Sequence, residues 1–476
     1  MRMLKMKFSF GFITSVVVAV LFSIAAPQNV FAQEATNQDT AIQITSPVEA
    51  FQKGHTKMHF RNFFMSTDNE KDLSDYYALG IGGTLRYETA SFHGFKFGIS
   101  GMFNYNLASS DLTARDSITG AKNRYEAGLF DVTDPGNTND LDRLEELWIS
   151  YTWNKGSAVL GKQLLKTPFI NFQDGRMRPT EEEGIWVETK VNKSTNFQGG
   201  WLWKMSPRST VRWYDVGASI GTYPQGKNIH GMPSGYLNQL ESKGIGLIGL
   251  KHQAGKHLNI EVWDQFVENM FNTVFTQMEY TQPVKNSQKI VAGVQLMYQN
   301  SVSDGGNTDQ NITYFPTSEH ASAISGRLLW ANKYWKTSLA YTYLGKGGRF
   351  LSPREWGKEP FYTFMPRERT EGTGNTHSMV ARIDWKAKKT PFSASLAVGN
   401  FILPDVLEFR LNKYALPSYY QINTDLRYQF SGWLKGLSSH LLVVYKGRTG
   451  DDHNNPAFVI NRVNMWQVNF ILNYYL

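Results

Sequence analysis

The stretch Tyr419-Tyr420-Gln421-Ile422-Asn423-Thr424-Asp425-Leu426-Arg427-Tyr428-Gln429-Phe430 has two faces that hardly mix. Tyr420, Ile422, Leu426, Tyr428 and Phe430 fall on one parity. Gln421, Asn423, Asp425, Arg427 and Gln429 fall on the other. Successive side chains of an extended chain point to opposite sides, so this is a strand with an apolar and a polar face. Its apolar face carries rings at both ends. A strand that crosses a bilayer turns that face to lipid and places aromatic rings at the two water boundaries.

The same reading extends outward along the chain. In 78–90, Leu79, Ile81, Leu85 and Tyr87 alternate with Gly80, Gly82, Thr84, Arg86 and Glu88. In 93–105, Phe95, Phe97, Ile99, Phe103 and Tyr105 alternate with Lys96, Gly98, Ser100 and Asn104. In 377–387, Met379, Ala381, Ile383 and Trp385 face away from Ser378, Arg382, Asp384 and Lys386. The chain closes on 464–476, where Trp466, Val468, Phe470, Leu472, Tyr474 and Leu476 share a face. Eighteen such segments are read, the first at 57–65. The gaps after even segments are short, as at 91–92, 194–195 and 333–334. Those after odd segments include the long 106–142, 205–242, 301–320 and 346–376. Only the gap at 269 breaks the asymmetry. Short turns at one end and long loops at the other belong to transmembrane barrels, and an even strand number returns both termini to one side.

Composition agrees. Aromatic residues make up 14% of the chain, more than a soluble core of this size needs, whereas a barrel uses them in two girdles. With no cysteine there is no disulfide framework, so hydrogen bonding and packing must hold the fold. The net charge of +8 is mild for the length, and no basic block suggests nucleic acid. The start of the chain reads as a secretory signal peptide over 1–32: Arg2, Lys5 and Lys7, an apolar run from Phe8 to Ala26, then Val30-Phe31-Ala32 as a cleavage site. A periplasmic segment 33–56 and a barrel 57–476 would follow. Backbone groups in hydrocarbon must all be paired, and only a closed barrel leaves no bare edge. With eighteen strands the lumen is too wide for wall side chains to fill, so a water-filled passage is expected.

The lumen face carries the candidate chemistry. By parity Arg86, Arg327, Arg382 and Arg427 point inward, and their positions in descending strands put all four near mid-barrel. Such a ladder would hold and pass on a carboxylate through bidentate hydrogen bonds. The competing reading is that these arginines pair with Glu88, Asp384 and Asp425 to stiffen the wall. The histidines are scattered, no pair has metal-ligand spacing, and there is no nucleophile elbow or phosphate-cradling loop. No enzyme, metal or cofactor is read here.

One window is more specific. Gly161-Lys162-Gln163, Thr167-Pro168-Phe169, Asp174-Gly175-Arg176-Met177-Arg178-Pro179 and Glu183-Gly184 together resemble the third-loop signature of the OprD family of outer-membrane porins. The resemblance implies an all-β, eighteen-stranded transmembrane antiparallel barrel whose third outer loop, 166–183, folds inward and narrows the pore. It implies passage of amino acids, short peptides or small carboxylates. Carried onto this chain, it nominates Asp174, Arg176 and Arg178 at the constriction. The run Glu181-Glu182-Glu183 adds negative charge there, a departure that weighs against simple anion selectivity. The expected partners are outer-membrane lipid and small polar solutes, with the barrel acting as a homotrimer or a monomer. The alternatives are an adhesive or structural barrel with a plugged lumen, and an exporter of an acidic polysaccharide with a longer basic track.

Overall fold

The computed structural model describes residues 44–173 and 175–476. The expected signal peptide, the start of the 33–56 segment and Asp174 lie outside the described residues. A short helix, α1 (Pro47–Gln52), is capped by Ser46, whose side chain accepts from the Glu49 amide. Eighteen long strands follow. They are β1 (His55–Asp68), β2 (Tyr76–Glu88), β3 (Phe95–Ser109), β4 (Arg143–Trp153), β5 (Gly156–Gln163) and β6 (Glu181–Lys190). Next come β7 (Thr195–Ser206), β8 (Ile245–Ala254), β9 (Leu258–Val267), β10 (Phe271–Val284), β11 (Gln288–Ser301) and β12 (His320–Ala331). The last are β13 (Trp335–Leu344), β14 (Thr376–Lys386), β15 (Phe392–Ile402), β16 (Tyr419–Gln429), β17 (Leu437–Arg448) and β18 (Met465–Tyr475).

Each strand pairs antiparallel with the next, and the sheet closes where β1 meets β18 in the register His59↔Tyr475 to Asp68↔Trp466. The seam is sealed to the last residue: the Met58 and Leu476 amides each donate to the other's carbonyl, at 3.1 and 3.0 Å. No sheet edge is left bare. The barrel is inverted relative to a soluble protein. On β11, Gln295 and Gln299 are 1% exposed, while Leu296 and Tyr298 between and beside them are 45% and 51% exposed. The apolar parity therefore faces outward and the polar parity inward, as in a wall between hydrocarbon and a polar lumen.

The gap that broke the sequence pattern is a real long-loop-end connection made short. Asn269 adopts φ 61°, which only Gly, Asn and Asp take readily. The Glu268 amide donates to Gly244 O and the Val302 amide to Met270 O, so the loops on either side hold this turn.

Inside the wall, glycines make room for indoles. Trp263 is fully buried and its ring covers Gly249, where a Cβ would stand 2.5 Å from two ring carbons. Gly98 lies under Trp148 in the same way. Overpacking of this kind costs about 1–3 kcal/mol. Gly249→Ala should lower stability by about that amount in urea titration of the folded barrel, whereas Gly326→Ala, which meets only Gly293 O at 4.0 Å, should change it little.

At the long-loop end more than the third loop enters the lumen. Loops 164–180, 207–244 and 345–375 turn inward and bury apolar side chains against the wall. Phe169, Ile170, Val216, Ile220, Trp356 and Phe361 join Trp186, Leu247, Trp263 and Phe275 in one cluster. The long gaps held enough apolar residues to form their own packing, and strand counting does not detect that.

Candidate functional site: an arginine-lined constriction

Loop 164–180 is held by its own turn before it meets anything else. Thr167 accepts from the Ile170 amide at 2.9 Å and its own amide donates to Ile170 O at 2.8 Å. Asn171 then joins it to loop 345–375. Its amide donates to Trp356 O, its side-chain amide to Lys358 O, and its side-chain oxygen accepts from the Lys358 amide, all at 3.0 Å. Gly357 permits this approach: at φ 145° a Cβ there would lie 2.8 Å from Asn171 backbone. The far end of loop 164–180 reaches β1 and β2. Arg61 on the wall donates to Arg176 O at 2.7 Å, and Met177 lies against Gly80 and Gly82.

Loop 345–375 spans even more of the lumen. Gln295 of β11 donates to Pro360 O at 3.0 Å and Tyr362 donates to Glu279 of β10 at 2.9 Å. Arg382 of β14 donates to Phe364 O at 3.0 Å and Gln421 of β16 to Pro366 O at 2.8 Å. Arg367 donates to Asn469 of β18 at 2.7 Å. Lys446 of β17 reaches Glu368 at 2.9 Å. One loop thus contacts both sides of the lumen.

Where these loops meet loop 110–142, a cavity of about 90 Å3 is lined by Arg124, Arg176, Arg208, Arg354, Arg367 and Arg369, against one carboxylate, Glu368. Tyr125, Gln173, Ser209 and Tyr223 complete the polar lining. Burial, reinforced by Arg176 and Arg208, pulls the Arg367 guanidinium well below its usual range. Burial and neighbouring arginines bring Arg208 and Arg369 each down to about 10. Arg208 and Arg369 therefore keep their charge at neutral pH. The Nε–H groups of Arg176, Arg208 and Arg367 are buried without an acceptor among the described residues. Unpartnered, crowded donors of one sign are a costly arrangement that an anion relieves.

Glu368 is already engaged, by Arg124 at 3.2 Å and Arg354 at 3.5 Å within the lining and by Lys446 of β17 at 2.9 Å. Burial would raise its pKa, but Arg124, Lys446 and Arg354 outweigh burial and hold it far below the ordinary carboxylate range. A depressed folded-state pKa gives stability that is present above the unfolded value and is lost only as pH falls through the folded one. The attachment of this loop to β17 should therefore persist as pH drops through about 4, where a free Glu protonates. Thermal melts of wild type and Glu368→Gln should differ by a constant amount from pH 7 to pH 5. A difference that vanished by pH 5 would contradict the assignment.

The wall arginines are spread out. Arg327 pairs with Glu279 and sits 4.2 Å from the Tyr362 ring centroid. Arg382 bonds loop 345–375 as above, while Asp384 takes Lys336 at 3.7 Å and Ser395 at 2.6 Å instead. Arg86 pairs with Glu88 at 2.7 Å and Glu146 at 3.2 Å. Arg427 pairs with Asp425 at 2.7 Å, and Asp425 also meets His440 at 2.6 Å. Arg327 and Arg382 lie mid-strand. Arg86 and Arg427 stand near the short-turn end, because β2 and β16 run only to Glu88 and Gln429. The expectation that all four are near mid-barrel is thus corrected.

The loop nominees also divide. Arg176 lines the cavity. Arg178 turns away and is 1% exposed, donating to Thr210 O at 2.9 Å and Leu141 O at 2.7 Å, so it fastens loop to loop. Glu181, Glu182 and Glu183 belong to β6 and do not converge. Glu181 lies 3.7 Å from Arg143, Glu182 accepts from the Leu165 amide at 3.1 Å, and Glu183 pairs with Lys162 and takes Trp203 at 3.1 Å. Sequence reading missed Arg124, Arg208, Arg354, Arg367 and Arg369. The one available signal was Pro366-Arg367-Glu368-Arg369, a charge-dense run inside a long gap.

The family model for the outer membrane porin, OprD family, matches residues 50–347, more than half of the chain. The chain belongs to the OprD family of outer-membrane porins. This family places it in the bacterial outer membrane, and its members are channels rather than enzymes. No curated protein sequence matches it. Among solved structures it is similar to Pseudomonas aeruginosa OpdK, determined with vanillate. The TM-score is 0.69 at 15% identity, covering 90% of this chain and 99% of that one. It is similar to Acinetobacter baumannii OccAB4, with TM-score 0.68, 16% identity and 89% and 98% coverage. It is also similar to Pseudomonas aeruginosa OccD3, with TM-score 0.67, 12% identity and 90% and 92% coverage. These likenesses concern the fold: a closed antiparallel barrel of eighteen strands with almost no helix.

Proposed function

We propose that this OprD-family porin passes small polar solutes by diffusion, carboxylates foremost, through an arginine-lined constriction. The observation that carries the reading is the cavity in which six arginines face one already engaged carboxylate. A solute carboxylate entering between the outer loops exchanges its hydration for guanidinium donors. Arg382 and Arg427 then offer further charge toward the short-turn end. Because Arg327 and Arg427 are part-neutralised by Glu279 and Asp425 and Arg382 is bonded to a carbonyl, binding stays weak enough for release. Amino acids and short peptides, which carry both charges, fit the same path, with Glu368 and Glu279 as the negative side. In this reading the leader is removed near Ala32 and the barrel works in the outer membrane without cofactor or metal.

Liposome swelling with a monocarboxylate, a neutral amino acid and an uncharged sugar of matched size tests this. The carboxylate should enter fastest. Arg327→Ala, Arg382→Ala and Arg427→Ala combined should move the reversal potential in a salt gradient toward cation preference. Equal swelling rates for all three solutes would discard the carboxylate reading and leave a nonselective channel.

A further inference from the structure

On the outer face of the wall, a dip at Ser322 and Gly345 interrupts the apolar surface. Val274, Tyr298 and Ser322 follow one another across β10, β11 and β12, and the Gly345 amide continues the row by donating to Ser322 O at 2.8 Å. One level below, Thr276, Leu296, Ile324 and Tyr343 are aligned in the same way. Ser322 and Gly345 are floor, because neither has a side chain that reaches as far as its neighbours. Tyr298, Ile324 and Tyr343 stand up around them. The result is an open groove of about 390 Å3. It lies near the long-loop ends of β11, β12 and β13, the end that faces outward in barrels with long extracellular loops.

The top of this groove is basic. His320 is exposed, stacks with Tyr298 at 6.1 Å between ring centroids, and abuts Gly347. Lys346 is exposed between the two glycines. Arg410 donates to Gly347 O at 2.8 Å and leaves 44% of its side chain exposed while it pairs with Glu319 at 2.8 Å. Arg410 is matched by Glu319, which takes two of its hydrogen bonds, so Lys346 supplies the excess positive charge beside this apolar slot, with His320 next to it. A lysine at the membrane–water boundary attracts anionic headgroups, by about 1 kcal/mol.

We propose that this groove is a binding site for one acyl chain of an anionic, phosphate-bearing lipid of the outer leaflet. The chain lies along Thr276 and Ser322 between Tyr298 and Tyr343. The phosphate sits at Lys346 and Arg410, with His320 beside it. The site is separate from the solute path, since these side chains face outward and those of Gln295, Gln299 and Ser325 face inward.

Native mass spectrometry of the purified barrel, titrated with dioleoyl phosphatidylglycerol or with phosphatidylcholine of the same chains, tests it. One phosphatidylglycerol should stay bound at activation energies that strip phosphatidylcholine. Lys346→Gln should weaken its retention about five-fold, the effect of one lysine near an anionic surface. Ser322→Trp should abolish it by filling the floor. Because Ser322 faces out, this variant should still show the heat-dependent gel shift of a folded barrel. Equal retention of the two lipids, or unchanged retention in folded Ser322→Trp, would overturn the proposal. So would a dimer or trimer that Ser322→Trp disperses, since a second copy would then be the occupant.

Discussion

Arg208→Gln combined with Arg369→Gln should cut the anion-to-cation permeability ratio of the channel at least tenfold, measured as reversal potential in planar bilayers. Both guanidinium groups donate to Gln173 of the third loop, and Arg369 does so at 2.6 Å. Glutamine keeps a donor for that contact and removes the charge, so the loops should stay docked. A hydrogen bond to a charged group contributes about 1.5–3 kcal/mol, and about 1.4 kcal/mol is a factor of ten. Two such groups acting on one solute carboxylate make tenfold a lower bound. The wall offers no ready substitute, because Arg327 is already paired with Glu279 and Arg86 stands near the short-turn end, paired with Glu88 and Glu146. The conductance of the pair should change far less than its selectivity. If the permeability ratio held while the barrel remained folded, solutes would be travelling by a route that avoids the cavity.

This prediction concerns residues that the sequence did not single out, and the reason is physical. Strand parity is a local property: whether Leu426 and Arg427 face opposite media is decided within a few residues, so the barrel, its strand number and its inversion were legible. The window from Asp174 to Pro179 was legible as a loop signature because Pro and Gly constrain the backbone locally. Convergence of loops is not local. Arg124, Arg208 and Arg369 come from three different gaps, and nothing near any one of them reports the other two. The glutamates of β6 show the opposite error. Three adjacent acids read as one patch, but β6 is extended and a register shift falls between Glu183 and Gly184. Adjacent side chains in a strand point apart, so Glu182 and Glu183 reach different partners. Likewise Asp384, the nearest acid to Arg382 in sequence, serves Lys336 and Ser395, while Arg382 is taken by a carbonyl of a loop that sequence parity placed outside.

That loop gives the second large effect. Joining Pro353 to Glu371 through a Gly-Ser link, which removes residues 354–370, should raise single-channel conductance several-fold. The cut is geometrically mild: Phe350 and Gly372 are already bonded at 2.7 Å across the base of the loop, so a short link closes it. The removed segment is the one that contacts β10, β11, β14, β16, β17 and β18, and its absence leaves those wall groups to water instead of to Pro360, Phe364 and Pro366 carbonyls. Phe361 and Met365 lose their burial, about 1.5–3 kcal/mol each, so the melting temperature should fall. The ladder around the wall is untouched and should still fold. Removing residues 169–178 of the third loop should give a smaller rise, because loop 345–375 still crosses the lumen beneath it. That cut stops short of Glu181 and Glu182, which are part of β6 and needed for the wall. The ordering of the two conductances is the decisive measurement. A third-loop deletion that opened the channel as widely as the excision of 354–370 would show that the longer loop does not limit the pore, and the constriction would then belong to residues 164–180 alone.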